Sequence, residues 1–203
     1  MEKSDYKKEL KHLYLPPQGA FTVVDVPEMS FLMVDGHGDP NKSQAYQEVL
    51  NALYAVSYTT KFALKRRGVE YTVPPLEGLW WERDMAAFTQ GHKDDWDWTM
   101  MIMQPQGVTA EVVEQARAEA GRKKDLPALA RMRFAAYHEG LSMQIMYLGA
   151  YADEGPTIIR MHEAIATQGY EPNGKHHEIY VGDPRKTAPE KLKTVIRQPI
   201  RKR

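Results

Sequence analysis

Apolar and polar positions along the chain alternate between two periods. Met29-Ser30-Phe31-Leu32-Met33-Val34 reads as a strand, and it stops at Asp35-Gly36-His37-Gly38-Asp39-Pro40, whose glycines and proline are turn chemistry. From the cap residues Asn41 and Ser43 onward, apolar side chains recur at helical spacing through Tyr46, Leu50, Leu53, Tyr54 and Phe62 until Gly68. Tyr71 to Trp81 is extended again, but Pro74-Pro75 suits an edge strand better than a central one. Trp96 and Trp98 lead into Met100-Met101-Ile102-Met103, too apolar for a half-solvated strand and therefore predicted to be buried. Upstream, Pro16-Pro17-Gln18-Gly19 separates a charged opening from a short apolar stretch, Phe21 to Val26, and the domain proper is expected to start near Met29.

The second half repeats this order. Ser142 to Tyr147 is a predicted strand, 149–156 a turn, Thr157 to Gln168 a helix closed by Gly169, Lys175 to Val181 a strand, and Leu192 to Ile196 a last strand. Met33-Val34-Asp35-Gly36 lies over Met146-Tyr147-Leu148-Gly149, Trp80-Trp81 over Ile179-Tyr180, and Met101 to Pro105 over Val195 to Pro199 with the same closing Gln-Pro. Between the halves, Thr109 to Lys124 favours a helix, and beyond Pro127 a second helical stretch is expected up to Gly140. The fold class expected is α+β. It consists of two strand-helix-strand-strand units (about 29–105 and 142–199) joined by a helical connector (about 106–141) that forms a surface excursion, all within one domain spanning 1–203. Two such units imply a pseudo-two-fold axis, with antiparallel sheets around a concave ligand cleft.

Composition narrows the chemistry. The 203 residues carry 27 Lys plus Arg and 27 Asp plus Glu, so the formal net charge is zero and no broad basic surface exists for direct nucleic-acid binding. Arg201-Lys202-Arg203 reads as a solvated tail. With no cysteine, a disulfide framework, a thiolate zinc site and a cysteine nucleophile are excluded, and a reducing compartment is expected. The charged start has no leader-like apolar core and no run suits a membrane span, so a cytoplasmic location is expected. There is no phosphate-binding glycine loop, dinucleotide fingerprint or nucleophile elbow, and no cofactor is expected.

The segment Gly174 to Pro184 is the richest in candidate chemistry. Strand alternation sends Ile179 and Val181 to one side, expected against a helix, and His176, Glu178 and Tyr180 to the other, into the concavity. A partly desolvated carboxylate at Glu178 suits either a general base for water or a counter-charge for a cationic ligand; an ordinary surface glutamate is the alternative. His176 and His177 diverge on a strand, so they do not converge on a metal ion. If Trp81 matches Tyr180, it shares the concave face and Trp80 turns to the core. Trp81, Trp98, Tyr180 and His176 are then the candidate ligand contacts, with flat rings to sandwich a planar ligand. Tyr147, at the end of its strand, offers a hydroxyl to a ligand oxygen.

Gln144-Ile145-Met146-Tyr147-Leu148-Gly149-Ala150-Tyr151-Ala152-Asp153-Glu154, then Gly174-Lys175-His176-His177-Glu178-Ile179-Tyr180, then Asp183 to Pro199, resembles the GyrI-like family, and more narrowly its stand-alone branch. The resemblance covers the chain from about Phe21 onward and implies the duplicated fold read above. It also implies a range of roles: DNA gyrase inhibition, drug sensing in which a strand glutamate contacts cationic aromatic drugs, and hydrolysis of DNA-alkylating cyclopropanoid compounds. Carried over, Glu178 is the central glutamate and Tyr147 its partner acid, although relatives usually have histidine at that position. The expected function is hydrolytic detoxification of planar hydrophobic xenobiotics. The alternatives are a non-catalytic drug-binding protein and a gyrase-binding module, the latter giving a weak link to DNA gyrase. No helix-turn-helix is expected ahead of Met29.

Overall fold

The helix that opens after Asn41 runs Gln44–Arg66 (α3), and it starts there because the Ser43 hydroxyl accepts the Tyr46 N–H at 3.2 Å. A computed structural model describes residues 3–82 and 93–203. Two single-turn helices, Tyr6–Glu9 (α1) and Lys11–Tyr14 (α2), precede the strands Thr22–Val26 (β1) and Met29–His37 (β2). After α3 come Leu76–Trp81 (β3), Asp97–Gln104 (β4), the helix Ala110–Lys123 (α4) and the strands Arg133–Tyr137 (β5) and Gly140–Leu148 (β6). The helix Gly155–Thr167 (α5) and the strands Tyr170–Pro172 (β7), His176–Tyr180 (β8) and Lys193–Lys202 (β9) complete the chain.

One antiparallel sheet holds the strands in the order β1-β6-β9-β8-β3-β4-β2-β5, with β7 paired to the far end of β9. The stretch β2-α3-β3-β4 and the stretch β6-α5-β8-β9 repeat one order of elements, and their strands run outward from the β3·β8 pair in mirrored sequence. β3 is thus central rather than an edge strand. It tolerates Pro74-Pro75 because pairing begins only at Leu76, after both prolines.

Side-chain parity sorts the core into two layers. Leu32, Val34, Trp80, Trp98, Met100 and Ile102 face α3, while Met143, Ile145, Met161, Ile165 and Ile196 join the sheet to α5 on the same side. The opposite side buries Leu13, Tyr14, Met146, Ile179 and Val195, so Ile179 lies against the N-terminal segment and not against a helix of its own unit. Leu13 and Tyr14 are 0% and 1% exposed, which brings residues ahead of Met29 into the core despite their charged neighbours.

The connector also differs from the surface excursion expected. Val112, Val113, Ala116 and Ala120 of α4 pack on α3, and the second helical stretch shortens to a 3-10 turn, Pro127–Arg131, before β5 pairs with β2 at the sheet edge. Phe134 packs inward from β5, which a helix at that place would not allow in this register. No helix among the described residues is long and apolar enough to cross a membrane.

Candidate functional site

α3 and α5 lie on the same face of the sheet, and between them, over β8 and β3, a cavity of about 760 Å³ opens. Six rings stand in its walls: Tyr46 and Tyr54 from α3, Trp80 from β3, Trp96 ahead of β4, Tyr151 ahead of α5 and Tyr180 from β8. The rings support one another at edge-on angles, Trp80 against Trp96 at 5.8 Å and Tyr151 against Tyr180 at 5.3 Å between centroids. Asp183 and Arg185, paired through two side-chain hydrogen bonds at 3.0 Å each, stand at the rim with Lys93, whose Nζ lies 5.4 Å above Trp96.

Glu178 is the carboxylate on the cavity floor, its side chain 16% exposed. Tyr180 donates its hydroxyl to Glu178 Oε2 at 2.8 Å and in turn accepts the Trp80 indole N–H at 3.2 Å. His176 Nε2 lies 3.3 Å from Glu178 Oε1. Burial pushes the Glu178 acid upward, yet His176, Tyr180 and Glu154 together hold it below the usual carboxylate range. Tyr180, buried beside that charge, keeps its proton far above neutral pH.

A second acid shares the cavity. Glu154 ends the turn before α5, is 3% exposed, and lines the same cavity near Glu178. Burial first, and the Glu178 charge second, push it from 4.5 up to about 9. That corresponds to on the order of 6 kcal/mol, which outweighs the roughly 2 kcal/mol at most by which a helix N-terminus favours a negative charge. At neutral pH the pair therefore holds one proton, on Glu154, and one negative charge, on Glu178. Glu154 Oε1 is buried without a hydrogen-bond partner.

The candidate residues are not all brought together. Glu178 and Tyr180 line the cavity, and His176, 1% exposed, sits behind Glu178 rather than at the wall. The β3·β8 register pairs Gly78 with Glu178 and Trp80 with His176, so Trp80 shares their face and Trp81 points away. Trp81 packs near Leu79 and Met101 on the far side, with Lys175 Nζ 3.2 Å above its ring. Matching Trp81 to Tyr180 placed the strand one residue out, and such a slip exchanges the two faces. Trp98 is 0% exposed, donates to the Gly38 carbonyl at 3.1 Å, and lies so close over β2 that a Cβ on Gly36 would come within 2.0 Å of its ring. It backs the cavity wall edge-on through Tyr46, at 5.2 Å between centroids, instead of touching a ligand. Tyr147 turns toward α5, with its hydroxyl donating to the Ala150 carbonyl at 3.3 Å, outside the cavity wall.

Behind β8, a buried cluster links His177, which sequence reading took only as a strand residue off any metal site, with Glu77, Glu139 and Arg197, which it passed over. His177 has Nε2 3.0 Å from Glu77 Oε2 and Nδ1 2.9 Å from Glu139, whose other oxygen accepts from Arg197 at 2.9 Å. Arg197 also donates to the Leu13 carbonyl at 2.6 Å, Gln144 donates to the His12 carbonyl at 2.6 Å and Tyr14 donates to Glu77 at 2.8 Å, so the N-terminal segment is anchored by side chains of β9, β6 and β3. Among the described residues no group of three or more His, Asp and Glu side chains is arranged to hold a metal ion.

The chain matches the family model of the GyrI-like small molecule binding domain over residues 20–201. No curated protein matches it. Among solved structures it is similar to an uncharacterized conserved protein from Listeria innocua, at 40% identity and a TM-score of 0.88, covering 98% of this chain and 100% of that one. It is also similar to a protein described as a hydrolase from Listeria innocua, at 39% identity and a TM-score of 0.85 over the same shares. The C-terminal domain of EcmrR shares the fold at 11% identity, with a TM-score of 0.60, over 91% of this chain and 98% of that one. The chain belongs to the GyrI-like small-molecule-binding domain family.

Proposed function

We propose that this protein takes planar hydrophobic molecules into the cavity and hydrolyses electrophilic ones, cyclopropanoid DNA-alkylating compounds being the class in view. The observation that carries this reading is the placing of two buried carboxyls, Glu178 and Glu154, at one ring-lined cavity, where burial and the neighbouring charge push Glu154 up while His176 and Tyr180 hold Glu178 down. Two carboxyls driven apart in this way are an acid and a base for the same step. Glu178 removes a proton from a water molecule while the water oxygen bonds the strained ring carbon. The carbon–carbon bond breaks, and its electron pair passes to the conjugated oxygen, which takes the proton of Glu154. The proton gained by Glu178 then passes to Glu154 and restores the pair. Similarity to a protein described as a hydrolase supports the enzymatic reading.

The test is chromatography of a purified cyclopropanoid after incubation. Wild-type protein is expected to convert it to the ring-opened water adduct, with Glu178→Gln slower by at least a hundredfold; equal rates for the two proteins would remove the enzyme. One observation favours a second reading, non-catalytic binding: both Glu178 oxygens already face protein groups, as a fixed counter-charge would. Recovery of intact ligand after long incubation, with binding lost in Glu178→Gln, would select it.

A further inference from the structure

The cavity wall continues beyond its mouth. Tyr54, which lines the cavity, begins a ladder of rings along α3: Tyr58 follows at 6.5 Å between centroids and Phe62 at a further 6.5 Å. Residues four apart share a helix face, and α3 buries Leu53, Val56, Thr60 and Leu64 on its other side. The ladder therefore climbs onto the outward face of the helix, where Tyr58 and Phe62 are 45% and 53% exposed. Across the opening, Ile159 of α5 lines the cavity and is 51% exposed. Large apolar side chains thus flank the mouth on the side turned away from the sheet.

Cations surround these rings. Lys61 Nζ lies 5.8 Å from the Tyr58 centroid and 5.9 Å from that of Phe62. Lys65, Arg66 and Arg67, all exposed, close the same helix, and Arg185 stands at the rim. Nearby acids answer part of this charge: Glu70 pairs with Lys65 at 3.0 Å, Glu119 lies 4.0 Å from Arg66, and Asp183 holds Arg185. Lys61 and Arg67 are left without an ion-pair partner among the described residues.

We propose that this face rests on an anionic lipid surface, with the cavity mouth against the bilayer, so that planar hydrophobic ligands pass from the membrane into the cavity. Rings set among basic side chains settle at the headgroup level, where the apolar body is buried and the cations meet phosphate. A lysine whose stem crosses two rings reaches the same plane by snorkelling. Three apolar side chains fall well short of the roughly 800 Å² per partner of a stable protein interface. Reversible attachment to a bilayer needs only a shallow apolar contact backed by charge. The docking stands on this exposed face alone; ligand pickup rests on the cavity being the ligand site, as the proposed function also requires.

The test is co-sedimentation of the purified protein with vesicles of phosphatidylcholine alone and of phosphatidylcholine with about one-third phosphatidylglycerol. Binding to the anionic vesicles is expected to be tighter by roughly tenfold or more, and to disappear in about 1 M salt, where the Debye length falls to about 3 Å. Lys61→Gln should weaken it roughly fivefold, and Tyr58→Ser combined with Phe62→Ser by roughly tenfold or more. Neither variant touches the cavity wall, so fluorescence of bound 1-aminoanthracene, an uncharged planar probe, should match the wild type in both. No sedimentation with either vesicle, equal binding to the two, or undiminished binding by the double ring variant would each overturn the inference. So would a dimer of the free protein that the double variant dissolves, since the rings would then face a second copy. Vesicle binding without 1-aminoanthracene binding would remove the ligand site and leave the docking face standing; the reverse would remove the docking face alone.

Discussion

At the scale of single residues, burial works against the ionisation of Glu178, and His176 first and Tyr180 after it sustain the charge. Burial opposes a charge at this position, and the carboxylate survives because donors reach both oxygens. Tyr180→Phe deletes one donor, leaves the Trp80 indole N–H without its acceptor, and changes no carbon packing. A hydrogen bond to a charged group contributes about 1.5–3 kcal/mol. The acid limb of activity, or of cation affinity, is therefore expected to move up by roughly one to two pH units. A pH profile of the variant that overlays the wild type would show that Tyr180 does not hold the charge. The same residue-scale logic explains why the Glu154 proton is legible only in three dimensions: nothing in Asp153-Glu154-Gly155 marks one acid as buried and the other as solvated.

At the scale of elements, the sheet is held from behind by a charged segment that lies ahead of the domain start expected near Met29. Arg197 in β9 satisfies Glu139, Gln144 and the Leu13 carbonyl at once. Arg197→Ala strands the buried Glu139 with His177 alone and releases α2, so a loss of about 3–5 kcal/mol is expected; urea unfolding measures it. A loss under 1 kcal/mol would mean that the N-terminal segment docks by its apolar contacts alone. The helical spacing from Tyr46 to Leu53 was readable because period and burial coincide there, and 176–180 because alternation sets its two faces even though both are covered. Two other elements were not. Among its described residues the N-terminal segment covers the sheet chiefly through Leu13 and Tyr14, adjacent positions that form no period. The partner register of β3 and β8 is set across 100 residues of sequence by antiparallel pairing, which no local pattern specifies, and this alone exchanged Trp80 with Trp81 at the site.

At the scale of the whole molecule, the cavity pair and the cluster behind β8 together predict how stability varies with pH. Glu154 and His177 both rise on folding, from 4.5 and 6.5 respectively, each to about 9. Burial drives Glu154 up, whereas His177 rises against its burial because Glu139 and Glu77 surround it. A group raised on folding stabilises fully below its unfolded value, and that contribution is lost as pH climbs through the folded one. Glu154 therefore erodes stability from pH 4.5 upward, and His177 adds to the loss only above 6.5. Glu139 has the opposite sign: His177 and Arg197 overcome its burial and hold it at about 2, so its contribution is present above 4.5 and fades as pH falls toward 2. His162, held below its usual value of 6.5 by burial, partly offsets the loss just below pH 6.5. Stability is thus expected to peak at roughly pH 5, and to fall by up to about 1.4 kcal/mol per pH unit between 5 and 6.5 on account of Glu154 alone. Denaturant unfolding at half-unit pH steps reads this directly. Glu154→Gln should flatten the limb between 5 and 6.5 while leaving the further loss between 7 and 9, which belongs to His177. An unchanged limb in that variant would mean that Glu154 is ionised in the folded protein, and the acid–base pair would lose its proton.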